Sequence, residues 1–301
     1  MAHTNPGTRL WHGVLLLVIG IILIGVGLTM GGQWNGFHLW PWGNTEKWVD
    51  IQDLDDDTLT EAVHTKKLDL QEGDLPSGIQ QFDIDLKTAN LILKTGANPG
   101  YKITAQKNRS IEVGTDDTVF HVKEKNWGGI ISSDMDIYRQ KIEITLPKDT
   151  KFAACVIKFG AGSIHIDTMD VNRLQIENGA GSIKGVGIQA QDVELETGAG
   201  AIVFNDCTFK DVEFKAGAGR IAFTGELNGK SVIETGAGSV ELHIGGTESD
   251  YDITYERGLG AVIIGNETFA GIGNGRAGTS DASRQLKLTT GVGAIRVVFD
   301  H

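Results

Sequence analysis

The residues of this chain that could do chemistry are glycine pairs, an acidic run, two cysteines and a few histidines. Seven times the sequence spells Gly-x-Gly-x-(Ile/Val), starting with Gly160-Ala161-Gly162-Ser163-Ile164. Glycine-rich turns bind phosphate when a third glycine or a Gly-Lys-Ser/Thr follows, because backbone N–H groups and a lysine then converge on the anion. No copy continues in either way, so neither a nucleotide nor any other cofactor is expected. The acidic run Asp50, Asp53, Asp55, Asp56 and Asp57 could open a calcium loop. Counted from Asp53, however, position six is Thr58 and position twelve is His64, where glycine and glutamate are required; it reads as a solvated stalk. Calcium-binding nonapeptides need an aspartate in each turn, and the turns here carry Ser163, Ser182, Ala201, Arg220 and Ser239.

His165 and His243 fall in different units at different offsets, so no metal site is expected. Cys155 and Cys207 take inward positions two units apart, roughly 10 Å at β spacing and out of disulfide reach; they read as small core residues. The strongest catalytic alternative is a polysaccharide-acting β-helix enzyme, which needs two carboxylates about 5 to 9.5 Å apart beside aromatic platforms. After the stalk Trp127 is the only tryptophan, and no unit concentrates Asp, Glu and His. An ice-binding surface needs a threonine ladder, but the residues before the glycine pairs are Phe159, Asn178, Thr197, Ala216 and Thr235. The chain is read as a non-enzyme.

The glycine pairs instead mark architecture. The first five copies begin at Gly160, Gly179, Gly198, Gly217 and Gly236, a step that never varies; copies at Gly258 and Gly291 follow after longer intervals. A fixed period of about 20 residues means one unit stacked on copies of itself. Three residues before the glycine stand Ile157, Ile176, Leu195, Phe214 and Ile233; four after it stand Ile164, Ile183, Ile202, Ile221 and Val240. Further apolar residues recur two positions away on either side, which is the strand period. The expected fold is all-β, a parallel β-solenoid with corners at Gly160 and Gly162, Gly179 and Gly181, Gly198 and Gly200, Gly217 and Gly219, and Gly236 and Gly238, where glycine supplies positive φ and close backbone approach. Two positions before each pair, Lys158, Glu177, Glu196, Lys215 and Glu234 point outward, so Lys158 is placed to meet Glu177, and Lys215 to meet Glu196 and Glu234.

The N-terminus follows other rules. Leu10 to Thr45 contains no Asp, Glu, Lys or Arg, and Gly13 to Met30 is almost wholly Val, Leu, Ile and Gly, long enough to span a bilayer as a transmembrane helix. Arg9 precedes it and an acidic body follows, which puts residues 1–9 in the cytoplasm and the rest outside; a cleaved signal peptide is the competing reading. Trp11, Trp34, Trp40, Trp42 and Trp48 flank the run, as an interfacial belt would. The division is residues 1–9 cytoplasmic, 10–32 transmembrane, 33–64 tryptophan-rich segment and stalk, 65–150 degenerate cap region and 151–301 regular repeats. A net charge of −12 argues against nucleic acid, which needs basic stripes.

Thr88-Ala89-Asn90-Leu91-Ile92-Leu93 mimics a degenerate first unit, and Ile142 to Lys148 is a strand leading into the array. With the Gly-x-Gly-x-Ile repeats, these features resemble a bacterial adhesin-like "toast-rack" family, a β-strand-repeat domain of unknown function, over roughly residues 65 to 301. The resemblance implies a cell-envelope protein, in some members tied to envelope-stress systems; an N-terminal membrane segment before the domain resembles the arrangement in Gram-positive envelope proteins. It implies no catalytic residues. The expected role is membrane-anchored, extracellular binding or scaffolding with an envelope protein or wall polymer as partner. Two insertions are candidate interaction loops: Lys123 to Asp136 with Trp127, Gly128 and Gly129, and Asn266 to Asp281 with Gly271, Gly273, Gly275 and Arg276. The last coil, Ala294 to His301, is expected to be a bare end, covered by the second insertion or free for self-association.

Overall fold

The computed structural model describes residues 68–106, 110–125 and 140–300, all within one compact unit, residues 48–301. The expected membrane segment, tryptophan belt and stalk, and the loop with Trp127, Gly128 and Gly129, lie outside the described residues. Among the described residues no helix is long and apolar enough to cross a membrane, and the only helical element is a 3-10 turn at Glu248–Asp250. The rest is strand and turn, because the sequence offers period-two apolar patterning between glycine corners and no helix-length amphipathic stretch.

Among the described residues eleven strands make one sheet: β1 (Leu68–Asp74), β2 (Gln81–Gly96), β3 (Gly100–Gln106), β4 (Ser110–Asp116), β5 (Val119–Lys125), β6 (Lys141–Pro147), β7 (Lys151–Gly245), β8 (Tyr251–Ile264), β9 (Glu267–Ala270), β10 (Gly273–Gly278) and β11 (Arg284–Asp300). β7 holds all five regular units in 95 residues that keep sheet pairing while turning at each glycine corner. β2 lies parallel to its first unit with Thr88 opposite Ala161 and Leu93 opposite Ile166. On its other edge β2 meets β5 and β6, both parallel, and antiparallel strands β4, β3 and β1 finish that end.

The inward side chains of successive units merge into a single apolar core running from Leu75 to Val297. Phe204, Phe209, Phe214 and Phe223 stack along it with ring centroids 5.3–6.4 Å apart. Glycine at position 185, in the row otherwise held by Ile166, Phe204, Phe223 and Leu242, makes room for an aromatic neighbour: a Cβ there would lie 2.4 Å from the Phe204 ring.

The two glycines of a corner do different jobs. Positive φ belongs to the second of each pair, at 136° for Gly162, 126° for Gly181, 135° for Gly200, 139° for Gly219 and 151° for Gly238. The first has no positive φ, contrary to the expectation that both need it; it is confined by backbone, since a Cβ on Gly198 would lie 2.6 Å from the carbonyl oxygen of Gly179. A second corner escaped the sequence reading. Asp149, Thr168, Gly187 and Asp206, which recur at the same step as the glycine pairs, have φ of 53°, 51°, 63° and 53°. Aspartate tolerates the left-handed region better than most side chains, so this corner is written without a glycine signature.

The C-terminal end departs most from expectation. The two late glycine copies are out of chain order in space: β11 lies between the last unit of β7 and β8, parallel to both. Gly293 therefore sits on Gly238, and Gly260 sits on Gly293. Ile295 and Val297 are fully buried, so the final strand is interior, not a bare end. The insertion between β8 and β11 forms β9 and β10, which pair antiparallel with β8. Two-sided pairing satisfies the backbone groups of β11 and buries its apolar face, which an end position would leave open.

Candidate functional site

Two regions stand out from the regular wall. The first is the glycine column. Because the corner glycines lack side chains, an open trough of about 470 Å³ runs beside them across the first coils, lined by Asp85, Lys87, Lys158, Phe159, Glu177 and Glu196 among others. Its lining carries both signs, with Lys87 and Lys158 among Asp85, Glu177 and Glu196. Lys158 Nζ lies 3.8 Å from Glu177, the pairing expected from the register. Lys215 instead pairs with Glu213 of its own strand; that hydrogen bond, with Glu234 and Glu196 acting through space, holds its ammonium above the usual lysine range. Such exposed pairs contribute at most about 1 kcal/mol each, so they leave the trough's side chains available for contacts. A second open trough, about 530 Å³, lies beside Glu72, Lys94, Tyr101, Lys102 and Glu143 among the N-terminal strands β1, β3, β6 and β2. Burial opposes ionisation of Glu143, yet Lys141 and Lys94 outweigh it and hold the carboxyl below the usual range.

The second region is the bend between β9 and β10, which carries four candidate residues. Gly271 has φ 82° and no atom within 4 Å of a would-be Cβ, and its N–H donates to the Gly260 carbonyl at 3.1 Å. Gly273 continues the bend at φ 158°. Gly275 lies flush on Tyr255, whose hydroxyl would be 2.2 Å from a Cβ. Arg276 clamps Asp252 bidentately, at 2.8 and 2.5 Å, and this pulls the Asp252 carboxyl below the usual range. Its guanidinium is thus engaged within the chain.

Arg257, which the sequence reading did not single out, holds the bend in place. It donates from Nε to the Gly271 carbonyl at 2.7 Å and from Nη2 to that of Ala270 at 3.4 Å, and its guanidinium stacks 5.2 Å from the Tyr255 ring centre. It occupies the position just before a glycine pair, opposite Thr290; the one charged residue in a row of Phe, Asn, Thr and Ala was the available signal. Around it the surface turns apolar. Leu259 is 64% exposed, Ile272 78% and Val292 44%. Leu259 and Val292 face each other across β8 and β11, with Ala237 next in line. In the five regular corners the same place holds alanine, at 161, 180, 199, 218 and 237.

The interior carries its own polar row. Asn178, Thr197, Thr235 and Thr290 are buried, and their side-chain polar atoms have no hydrogen-bond partner. Cys155 and Cys207 are buried free thiols, and burial pushes their pKa values up to about 12 and about 11, which makes them poor nucleophiles at neutral pH. His243 contacts Glu241 at 3.3 Å. Among the described residues no group of three or more His, Cys, Asp or Glu is placed to hold a metal ion.

No curated protein matches the chain. Among solved structures, similar chains include a candidate cell-adhesion protein from Clostridium sporogenes, with 12% identity over 78% of this chain and 100% of that one and a TM-score of 0.40. A candidate adhesin from Bacteroides fragilis has 14% identity over 77% and 98%, with a TM-score of 0.35. A candidate lipid-binding protein from Parabacteroides distasonis has 13% identity over 77% and 97%, also at 0.35. The family model Toastrack DUF4097 matches residues 79–272, the stretch from the strand before the first glycine column to the bend after β9. With most of its described strands inside that match, the chain belongs to the Toastrack DUF4097 family.

Proposed function

We propose that the chain is a non-enzymatic, adhesin-like binding or scaffolding protein of the bacterial envelope, held by a single membrane segment at residues 10–32 with its strand domain outside the cell. In this reading the glycine-cornered units form a parallel β-solenoid that acts as a rigid stand for its outer surface and end. The observation that carries it is the division of labour within each coil: inward positions make one continuous apolar core, while outward positions carry charged side chains beside open troughs. A stack of this kind is stable without any of its outer residues, which frees them for contacts. The charge-free run from Leu10 to Thr45 supports the anchor. A regulatory partner of an envelope-stress system is a narrower form of the same proposal.

The test has two arms. Protease added to intact protoplasts is expected to remove residues after the stalk and leave a small membrane-held fragment; a protected strand domain refutes the topology. An array of wall polymers and glycans, read for both retention and turnover, is expected to show retention without product. Product formation refutes the non-enzymatic reading.

A further inference from the structure

All four large aliphatic side chains exposed among the described residues lie at the ends of the stack: Leu70 in β1, and Leu259, Ile272 and Val292 together at the other end. The ends are also where the sheet stops. β1 and β10 terminate the strand path, and β9 pairs only with β8, so one edge of residues 267–278 meets no other strand among the described residues. Open edges invite pairing, and natural proteins blunt them with charge. The N-terminal edges are blunted in this way: β1 carries Asp69, Glu72 and Asp74, and β4 carries Glu112 and Asp116. The β9–β10 edge is not. Its only charged residues are Glu267 and Arg276, of opposite sign, and the arginine is tied to Asp252. Ile272, the most exposed aliphatic, falls near the middle of this edge, with Leu259 and Val292 on the adjoining corners.

We propose that this edge is a homodimer interface: two copies join β9–β10 to β9–β10, antiparallel about a two-fold axis near Ile272, continuing the sheet across the seam. A second copy is the occupant these features favour, because a neutral edge faces its own copy without repulsion, whereas the acidic β1 and β4 edges repel theirs. Isologous contacts also close at two subunits instead of growing into a fibre. The large Val292 and Leu259, where regular corners have alanine, supply the apolar flank of the seam. This inference does not depend on the membrane anchor or on any envelope ligand.

The test uses the full chain in detergent, with the N-terminal segment common to all variants. Cys155 and Cys207 are buried, so Ile272→Cys adds a single accessible thiol. Near a two-fold axis it meets its own copy within disulfide reach, and mild oxidation is expected to give a covalent dimer, while Leu70→Cys gives none. Ile272→Lys removes two apolar contacts per dimer and sets two like charges face to face. It is expected to raise the dissociation constant in sedimentation by about a hundredfold with an unchanged melting temperature. A monomeric parent, an Ile272→Cys chain that stays uncrosslinked, crosslinking only when Ile272→Cys and Leu70→Cys chains are mixed, or association untouched by Ile272→Lys would each overturn the proposal.

Discussion

Replacing Gly219 with alanine separates the two demands that the corner makes on glycine. A Cβ at this position would lie 1.8 Å from the Gly200 carbonyl oxygen, and real Cβ contacts do not fall under 3.0 Å. The two coils must therefore part locally by about 1 Å, roughly a fifth of the normal spacing of about 4.8 Å between strands, enough to break the ladder hydrogen bonds on either side. Two such bonds contribute about 2 kcal/mol net, and φ of 139° adds strain of about 1 to 3 kcal/mol for a residue with a side chain. The expected loss is about 3 to 5 kcal/mol, or roughly 6 to 20 °C in melting temperature for a domain of this size. Two controls isolate the terms. Gly271→Ala has positive φ but open space, so about 1 kcal/mol is expected. Gly198→Ala has ordinary φ and a milder clash, with its Cβ at 2.6 Å, so about 1 to 2 kcal/mol is expected. Denaturant unfolding of the three variants, with amide exchange in the coils around residue 219, is the assay. If Gly219→Ala and Gly271→Ala unfold at the same midpoint, backbone approach is not what selects glycine at the corner.

Three further outcomes are expected. Thr197→Val and Thr235→Val should leave stability unchanged or raise it by up to about 1 kcal/mol, since each removes a buried hydroxyl without a partner at nearly constant volume; a loss above that size in denaturant midpoints would mean the hydroxyls are satisfied. Cys155 and Cys207 should resist a thiol reagent at neutral pH until the domain unfolds. Because their folded pKa values lie above the ordinary value of 9.0, stability should also decline as pH rises past about 9, where the unfolded thiols ionise first, and a variant with both changed to alanine should lose that dependence. On the acid side, Glu143, Asp252 and Glu241 have folded pKa values below 4.5, 3.8 and 4.5. Their contribution is complete above those values and disappears as pH falls through the folded ones, so melting temperature should drop below about pH 4.5; a flat profile there would show that these pairs add nothing.

The all-β class, the inward rows and the in-register pairing of Thr88 to Leu93 with Ala161 to Ile166 were readable in the sequence, because each depends on local period. Alternation by two buries one face whatever the partner, and a constant interval between identical glycines leaves one register in which backbones pack flush. The finer role of each glycine was not readable: Gly217 and Gly219 look alike as letters, and only the stacked carbonyls show that one is limited by space and the other by φ as well. Nor was the corner at Asp149, Thr168, Gly187 and Asp206, whose residue types share no pattern but whose backbone is the same. The clearest limit is the C-terminal end. The sequence places Gly291 after Gly258, yet β11 lies between β7 and β8, so chain order and spatial order differ. Which coil pairs with which is a contest among near-identical registers, and local sequence scores them almost equally. It is decided by burying Leu286, Leu288, Ile295 and Val297 and by satisfying two edges of β11 at once, interactions that exist only when the whole stack is assembled.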